Sequence, residues 1–326
     1  MNLASRLLAL AATCAAALGA AAPATAQTWP ERPIRIIVPA TPGGPTDVLA
    51  RLLAERLRTT LGQTAVIDNR AGAGGAIAAR AVAAAPADGY TLLFGNTATF
   101  ATIPAVSKGA GYDGLNSFAP VAKVMDSYQV LVASPDLPVK SVAELVAYAK
   151  ANPGKLNYST AGIGNITHLS GELLKARAGI AFEAVHYKSG GESLNAILGG
   201  QAQVSIDNIT AVRALVQDRR LRALAVTSAT RKPEFPELPT LAEAGVADLV
   251  ITSFFGIAAP AGTPASIVAR LNGVINDALK TDAFQESLRR LGAQASPESP
   301  EQFRALIAGE QKKWSELAGA ANIKLE

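Results

Sequence analysis

Ile34-Arg35-Ile36-Ile37-Val38, then Pro42-Gly43-Gly44-Pro45-Thr46-Asp47, then Leu49, Leu52, Leu53, Leu57 and Leu61 decide the fold class. The first run is short and β-branched and gives way to Pro39. The leucines fall at a 3.6-residue spacing, which predicts a helix with one apolar face. Val66-Ile67-Asp68 predicts a second strand, an alanine-rich helix follows near 75–85, and Tyr90 to Phe94 predicts a third strand. Strand, helix, strand, helix, strand is the order of an open parallel sheet covered by helices.

The pattern starts again after about residue 126. Val130-Leu131-Val132 predicts a strand, and Ser141 with Glu144 forms a capping box for the next helix. Further strands are expected near 156–159, 182–187, 203–206 and 222–227, with helices between them. A third block opens near Ile251, where Phe255 to Pro260 is similar to Gln129 to Pro135. Thr263 is expected to cap the helix that follows, with Pro264 at its first position. Ser299-Pro300-Glu301-Gln302 predicts a second capping box, for the last helix. Two similar units bracketing a central block imply two chain crossings between two α/β lobes. Lobe 1 would be residues 27–125 plus 250–326, and lobe 2 residues 126–249. A cleft between such lobes is a common place for a small ligand.

The N-terminus reads as an export signal spanning 1–26. Arg6 is the positive region, Leu7 to Leu18 the apolar run, and Ala24-Thr25-Ala26 a cleavage site before Gln27. The apolar run is shorter than the ~20 residues that span a bilayer. An uncleaved anchor is the alternative. The single cysteine, Cys14, lies in this segment, so the mature chain offers no disulfide and no thiolate. The expected location is the periplasm.

Composition narrows function further. With 326 residues, 49% hydrophobic and 17% charged, the chain is globular and large enough for one large or two medium domains. Aromatics are only 5%, and the net charge of +4 is spread along the chain. Neither supports a nucleic-acid partner. A mild basic surplus favours small anions.

The glycine loops carry the chemistry. Pro42, Gly43, Gly44, Thr46 and Asp47 link a strand to a helix. Such a link presents backbone N–H groups and the positive end of a helix to an anion, or it is only a tight connection. Thr160, Gly162, Gly164, Asn165, Thr167 and His168 form a second loop of the same kind. His168 is either a ligand contact or a packing histidine on the helix. Gly72-Ala73-Gly74-Gly75 fails the dinucleotide fingerprint, because Ile77 stands at its sixth position. Ser189 precedes Gly190-Gly191, a further candidate cradle or a plain helix start. Asp207 and Asn208 close an apolar strand and either orient a ligand or cap the next helix. The two histidines, His168 and His186, sit in different predicted elements. No G-x-S-x-G elbow and no dense metal-ligand spacing is present. No catalytic residue and no cofactor are expected.

The chain resembles the tripartite tricarboxylate transporter receptors, the Bug family of periplasmic binding proteins. The resemblance is carried by Trp29 to Ile34, Pro39 with Pro42-Gly43-Gly44 and Asp47, and Asn69 to Gly75. It continues through Pro86 to Leu93, Ala151 to Tyr158, Leu221 to Thr227 and Ala259 to Pro264, covering essentially all of the mature chain. It implies a type II periplasmic-binding-protein fold, two α/β lobes with a ligand cleft between them. It also implies a receptor that captures a small organic carboxylate on the loops at Pro42–Asp47 and Thr160–His168. The implied partners are membrane permease subunits or a sensor kinase, and the expected state is a monomer. A periplasmic hydrolase is the alternative from another class. The sequence departs from the family at Thr41, Ile163, Ile166 and Phe254. Those changes favour a monocarboxylate with an apolar or aromatic body over citrate.

Overall fold

The computed structural model describes residues 29–107, 109–247, 249–321 and 323. The expected export segment 1–26, Cys14 and Gln27 lie outside the described residues. Two compact units divide the chain, residues 1–31 and 32–326. In the first, only Trp29, Pro30 and Glu31 are described. Every element below belongs to the second.

β1 (Ile34–Val38), α1 (Pro45–Leu61), β2 (Ala65–Asn69), α2 (Ala76–Ala83) and β3 (Thr91–Asn96) come first. A π-helical turn at Ala98–Thr102 and the short α3 (Ile103–Val106) lead into β4 (Phe118–Ala133). The central block is α4 (Val142–Ala151), β5 (Asn157–Thr160), α5 (Ile166–Ala178), β6 (Glu183–His186), α6 (Gly190–Leu198), β7 (Val204–Asn208), α7 (Ile209–Gln217) and β8 (Arg222–Val226). The chain returns through β9 (Thr252–Pro260), α8 (Ala265–Leu279), α9 (Asp282–Leu291), β10 (Gln294–Ala295) and α10 (Pro300–Ala320).

Local chemistry explains most boundaries. α1 buries Leu49, Leu53 and Leu57 completely, as the leucine spacing predicts. It stops at Gly62, whose φ of 74° is left-handed and favours glycine. Ser141 Oγ accepts the Glu144 N–H at the start of α4, and the Ser299–Gln302 capping box is formed in both directions. At α8 the structure corrects the expected cap. Pro264 is itself the N-cap, and the Thr263 hydroxyl donates to Pro260 O instead.

The sheet runs in the order β2-β1-β3-β9-β4-β7-β5-β6, with β8 and β10 also paired to β4. The β1–β2, β1–β3, β5–β6 and β5–β7 pairs are parallel. β4 is antiparallel to every neighbour, so the sheet is mixed, not purely parallel. Its residues 118–128 pair with β9, and its residues 129–133 pair with β7. The 16-residue β4 therefore belongs to both halves of the sheet, and β9 runs back beside it. This is a two-lobe α/β fold.

Each half has its own core. Phe100, Phe118, Phe254 and Phe303 pack together in the first. Tyr158, Leu169, Phe182, Val204 and Ile206 lie in the second. α10 serves both, sending Phe303 and Ile307 into the first core and Trp314 into the second. Trp314 is fully buried, and its Nε1 donates to Glu310. The far end of the chain thus packs against residues of the central block.

Candidate functional site

Four helices begin at one cavity of about 670 Å³. Their N-cap residues are Gly44 for α1, Asn165 for α5, Ser189 for α6 and Asn208 for α7. All four line the cavity. The first N–H groups of a helix have no partner within it, and its N-terminus carries about half a positive charge. Convergence of four such ends makes this wall attractive to an anion.

The first glycine loop contributes Thr41, Pro42, Gly43, Gly44 and Thr46 to the wall. Asp47 lies outside it and is only 2% exposed. It holds the loop from beneath by accepting the Gly43 N–H at 2.9 Å, Arg51 Nε at 2.8 Å and Asn69 Nδ2 at 3.0 Å. Burial pushes its carboxyl up, but those hydrogen bonds outweigh burial and hold it below its ordinary range. Asp47 therefore shapes the cradle from outside the cavity wall, with its carboxylate engaged by the loop and by its neighbours. The Gly43 N–H is likewise already engaged.

The second loop divides in the same way. Asn165 and Thr167 line the cavity, with Ala161 and Ile166 between and beside them. Asn165 Oδ1 accepts the Thr167 N–H, and the Thr167 hydroxyl oxygen accepts the Ala161 N–H. Thr160, Gly162, Gly164 and His168 do not reach the wall. The Gly162 N–H donates to Thr160 Oγ1, and the Gly164 N–H donates to His168 Nδ1. Both amides expected to hold a carboxylate are thus spent inside the loop.

His168 is a packing histidine, 8% exposed, with its ring 4.6 Å from that of His186 at 84°. Burial, then the neighbouring His186, push it down to about 4, against the pull of Glu172. Burial also lowers His186, whose Nδ1 lies 2.8 Å from Thr160 Oγ1.

The loop also touches the first lobe. Asn165 Nδ2 donates to Gly74 O at 2.9 Å, and the Thr102 hydroxyl donates to Gly164 O at 2.8 Å. Gly162 has a φ of 121°, and a Cβ there would stand 2.7 Å from Gly74 N. Only glycine allows the two loops to pass this closely.

The floor is built from strands and the residues at their ends. Asn96 ends β3 and Thr97 follows it, Gln129 lies in β4, Asp207 and Asn208 end β7, and Ser253 and Phe255 lie in β9. Asn208 ties three strands together. Its Oδ1 accepts from the Ser127 hydroxyl, its Nδ2 donates to Ser253 Oγ, and its Oδ1 also caps α7 through the Thr210 N–H. Asp207 is 4% exposed. One of its oxygens accepts the Asn208 N–H at 2.7 Å, and the other has no partner among the described residues. Burial pushes its carboxyl up to about 6, partly opposed by that hydrogen bond. The Gln129 amide is fully buried, approaches Ser170 Oγ with one end, and leaves Nε2 without a described partner. Buried polar atoms are seldom left unpaired, so two at one cavity floor mark a place for a polar group.

Sequence reasoning missed Asn96, Thr97, Gln129, Lys188, Ser253 and Phe255. They stand within strands, at strand ends or beside a loop, outside the glycine motifs. The one available signal was a polar residue abutting an apolar run, as in Gln129 before Val130-Leu131-Val132. Of the four family departures, Thr41 and Ile166 line the cavity. Ile163 is 53% exposed and outside the wall, and Phe254 is packed in the first core. The cavity is met by Phe255 instead.

Two α/β lobes around a cavity ringed by helix N-termini define a solute-binding receptor. The family model described as the tripartite tricarboxylate transporter family receptor matches residues 49–323. The chain belongs to that family, whose members are periplasmic receptors. It is 40% identical over 327 residues to protein BugT of Bordetella pertussis, covering all of both chains. It is similar to the solved structure of R. palustris Rpa4515 with adipate, at 40% identity and a TM-score of 0.87, over 91% of this chain and 99% of that one. It is also similar to MatC from Rhodopseudomonas palustris with bound malate, at 31% identity and a TM-score of 0.85, over 89% of this chain and 99% of that one.

Proposed function

We propose that this protein captures a small organic carboxylate in the cavity at the four helix N-termini and delivers it to a membrane permease. The observation that carries the reading is the meeting of the Gly44, Asn165, Ser189 and Asn208 caps on one wall. A carboxylate there replaces its lost water with N–H groups aimed at it, and charge-assisted hydrogen bonds are worth ~1.5–3 kcal/mol each. The adipate and malate held by the two solved relatives support a carboxylate as the ligand class. Thr46, Thr167 and Ser189 supply hydroxyls at the same wall.

The finer parts of the reading are these. The ligand is held and released unchanged, so the protein is not an enzyme. The mature chain begins at Gln27 after a signal peptide is removed, and it works as a monomer with permease subunits as partners. Lobe 1 is residues 27–125 plus 250–326 and lobe 2 is residues 126–249, hinged where β4 and β9 run side by side, with α10 strapped across both. Closure on a ligand is favoured by contacts that form only in the closed state.

Calorimetric titration of ligand-stripped protein with adipate, malate, citrate and benzoate tests the reading. At least one acid is expected to bind. Gly44→Asp is expected to abolish binding, because its carboxylate occupies the end of α1 while still serving as a good cap. Binding of no acid, or binding untouched by Gly44→Asp, would overturn the reading.

A further inference from the structure

The cavity does not end at the polar wall. From the N-terminus of α6 it follows Gly190, Gly191, Leu194, Asn195 and Leu198. Those positions share one helix face by their spacing of three to four residues. From the N-terminus of α7 it follows Thr210, Ala211, Ala214 and Leu215, again one face. The two helices form the sides of a trough that leaves the polar cradle and runs outward between them. Eight residue steps along the helix, from Gly190 to Leu198, carry the trough about 12 Å, the reach of roughly nine extended methylenes.

The lining changes character along that path. At the cradle it is backbone N–H and hydroxyl. Beyond, it is Leu194, Leu198, Ala211, Ala214 and Leu215, with Asn195 the one polar side chain between them. At the far end stands Arg220, which is exposed and makes no side-chain hydrogen bond or ion pair among the described residues. Glu192, next to Gly191 on α6, also lines the cavity, and its carboxylate accepts the Lys188 N–H at the cradle end of the helix. A cavity of about 670 Å³ is in the range of pockets that hold drug-sized ligands, larger than a four-carbon diacid requires.

Resting on the carboxylate reading above, we infer that the trough between α6 and α7 is a second subsite for an extended apolar tail. The ligand class is then a medium-chain carboxylic acid, with one carboxylate at the helix N-termini and its chain over Leu194, Leu198, Ala211 and Leu215. A second terminal carboxylate, where the ligand has one, pairs with Arg220. One continuous cavity holds both ends, so the occupant of the trough is the tail of the bound acid.

Titration of ligand-stripped protein with straight-chain acids from butanoate to decanoate tests this. Each methylene placed in the trough is expected to raise affinity two- to fourfold, the upper value for full burial. Ala214→Gln, at an exposed helix position that tolerates a polar side chain, is expected to collapse the decanoate-to-butanoate ratio toward one. Arg220→Gln is expected to lower the decanedioate-to-decanoate ratio about two- to fivefold, the range of an exposed ion pair. A flat profile with butanoate still bound would overturn the tail subsite and leave the receptor reading standing. So would a decanoate-to-butanoate ratio unchanged in Ala214→Gln. An unchanged diacid ratio in Arg220→Gln would overturn the role of that arginine. Failure of every acid in the series to bind, with adipate, malate, citrate or benzoate still bound, would overturn the subsite alone.

Discussion

Replacing Asp207 by asparagine isolates one buried charge at the cavity floor. Its carboxyl is pushed up to about 6 from an ordinary value of 3.8, with burial the main cause. That gap of about two pH units corresponds to ~3 kcal/mol. The folded chain holds this proton more tightly than the unfolded chain does. The side chain therefore adds stability that is complete below pH 3.8 and lost as pH rises through about 6. Asparagine keeps the shape and the acceptor for the Asn208 N–H but never ionises. Integrating between pH 4.5 and 7.5 gives the variant an advantage that grows by ~2 kcal/mol. Urea denaturation of ligand-stripped wild type and Asp207→Asn at both pH values measures it, because other titrating groups cancel in the difference. A stability difference that is the same at both pH values, or that favours the wild type more at pH 7.5, would refute the reasoning.

His168 moves the opposite way. It stays neutral until about pH 4, so its contribution to stability is full above 6.5 and lost as pH falls through about 4; an NMR titration midpoint above 6 would contradict this. Gly162→Ala drives a Cβ toward Gly74 N at 2.7 Å, from a left-handed φ of 121°. Calorimetry is expected to show at least a tenfold loss in carboxylate affinity with the circular dichroism spectrum retained, and unchanged affinity would remove the loop contact from the binding mechanism. Tyr158→Phe removes a buried hydroxyl that donates to Thr167 O and accepts the Ile206 N–H. A loss of ~1–3 kcal/mol in denaturation is expected from the orphaned groups, and no loss would show that neither hydrogen bond matters. Mass spectrometry of the periplasmic fraction is expected to find a terminus at Gln27, and an intact Met1 in membranes would contradict cleavage.

Helix and strand order was legible because buried faces repeat at fixed periods, as the leucines of α1 and the run Ile34–Val38 do. β4 was the main loss. Its first half carries Pro120, Lys123 and Asp126, which break the apolar pattern expected of a buried strand. Lys123 is nevertheless 5% exposed, because it pairs with Glu298 at 2.6 Å and with Asp126 at 3.0 Å. Pairing with a residue as far along the chain as Glu298 cannot be read from local spacing. The glycine loops were found, but not which of their atoms are free. Asp47, Thr160 and His168 look like ligand groups in sequence because capping, loop bracing and ligand binding all use the same polar residue types. Only geometry separates an N–H that faces the cavity from one spent on a neighbouring side chain.

The most direct test is a crystal structure of the ligand-stripped protein soaked with adipate. A carboxylate is expected within hydrogen-bond distance of the backbone N–H groups that open α1 and at least one of α5, α6 and α7, with Thr46, Thr167 or Ser189 beside it. Adipate bound away from the Gly44, Asn165, Ser189 and Asn208 caps, with that wall unoccupied at saturating acid, would contradict the central claim.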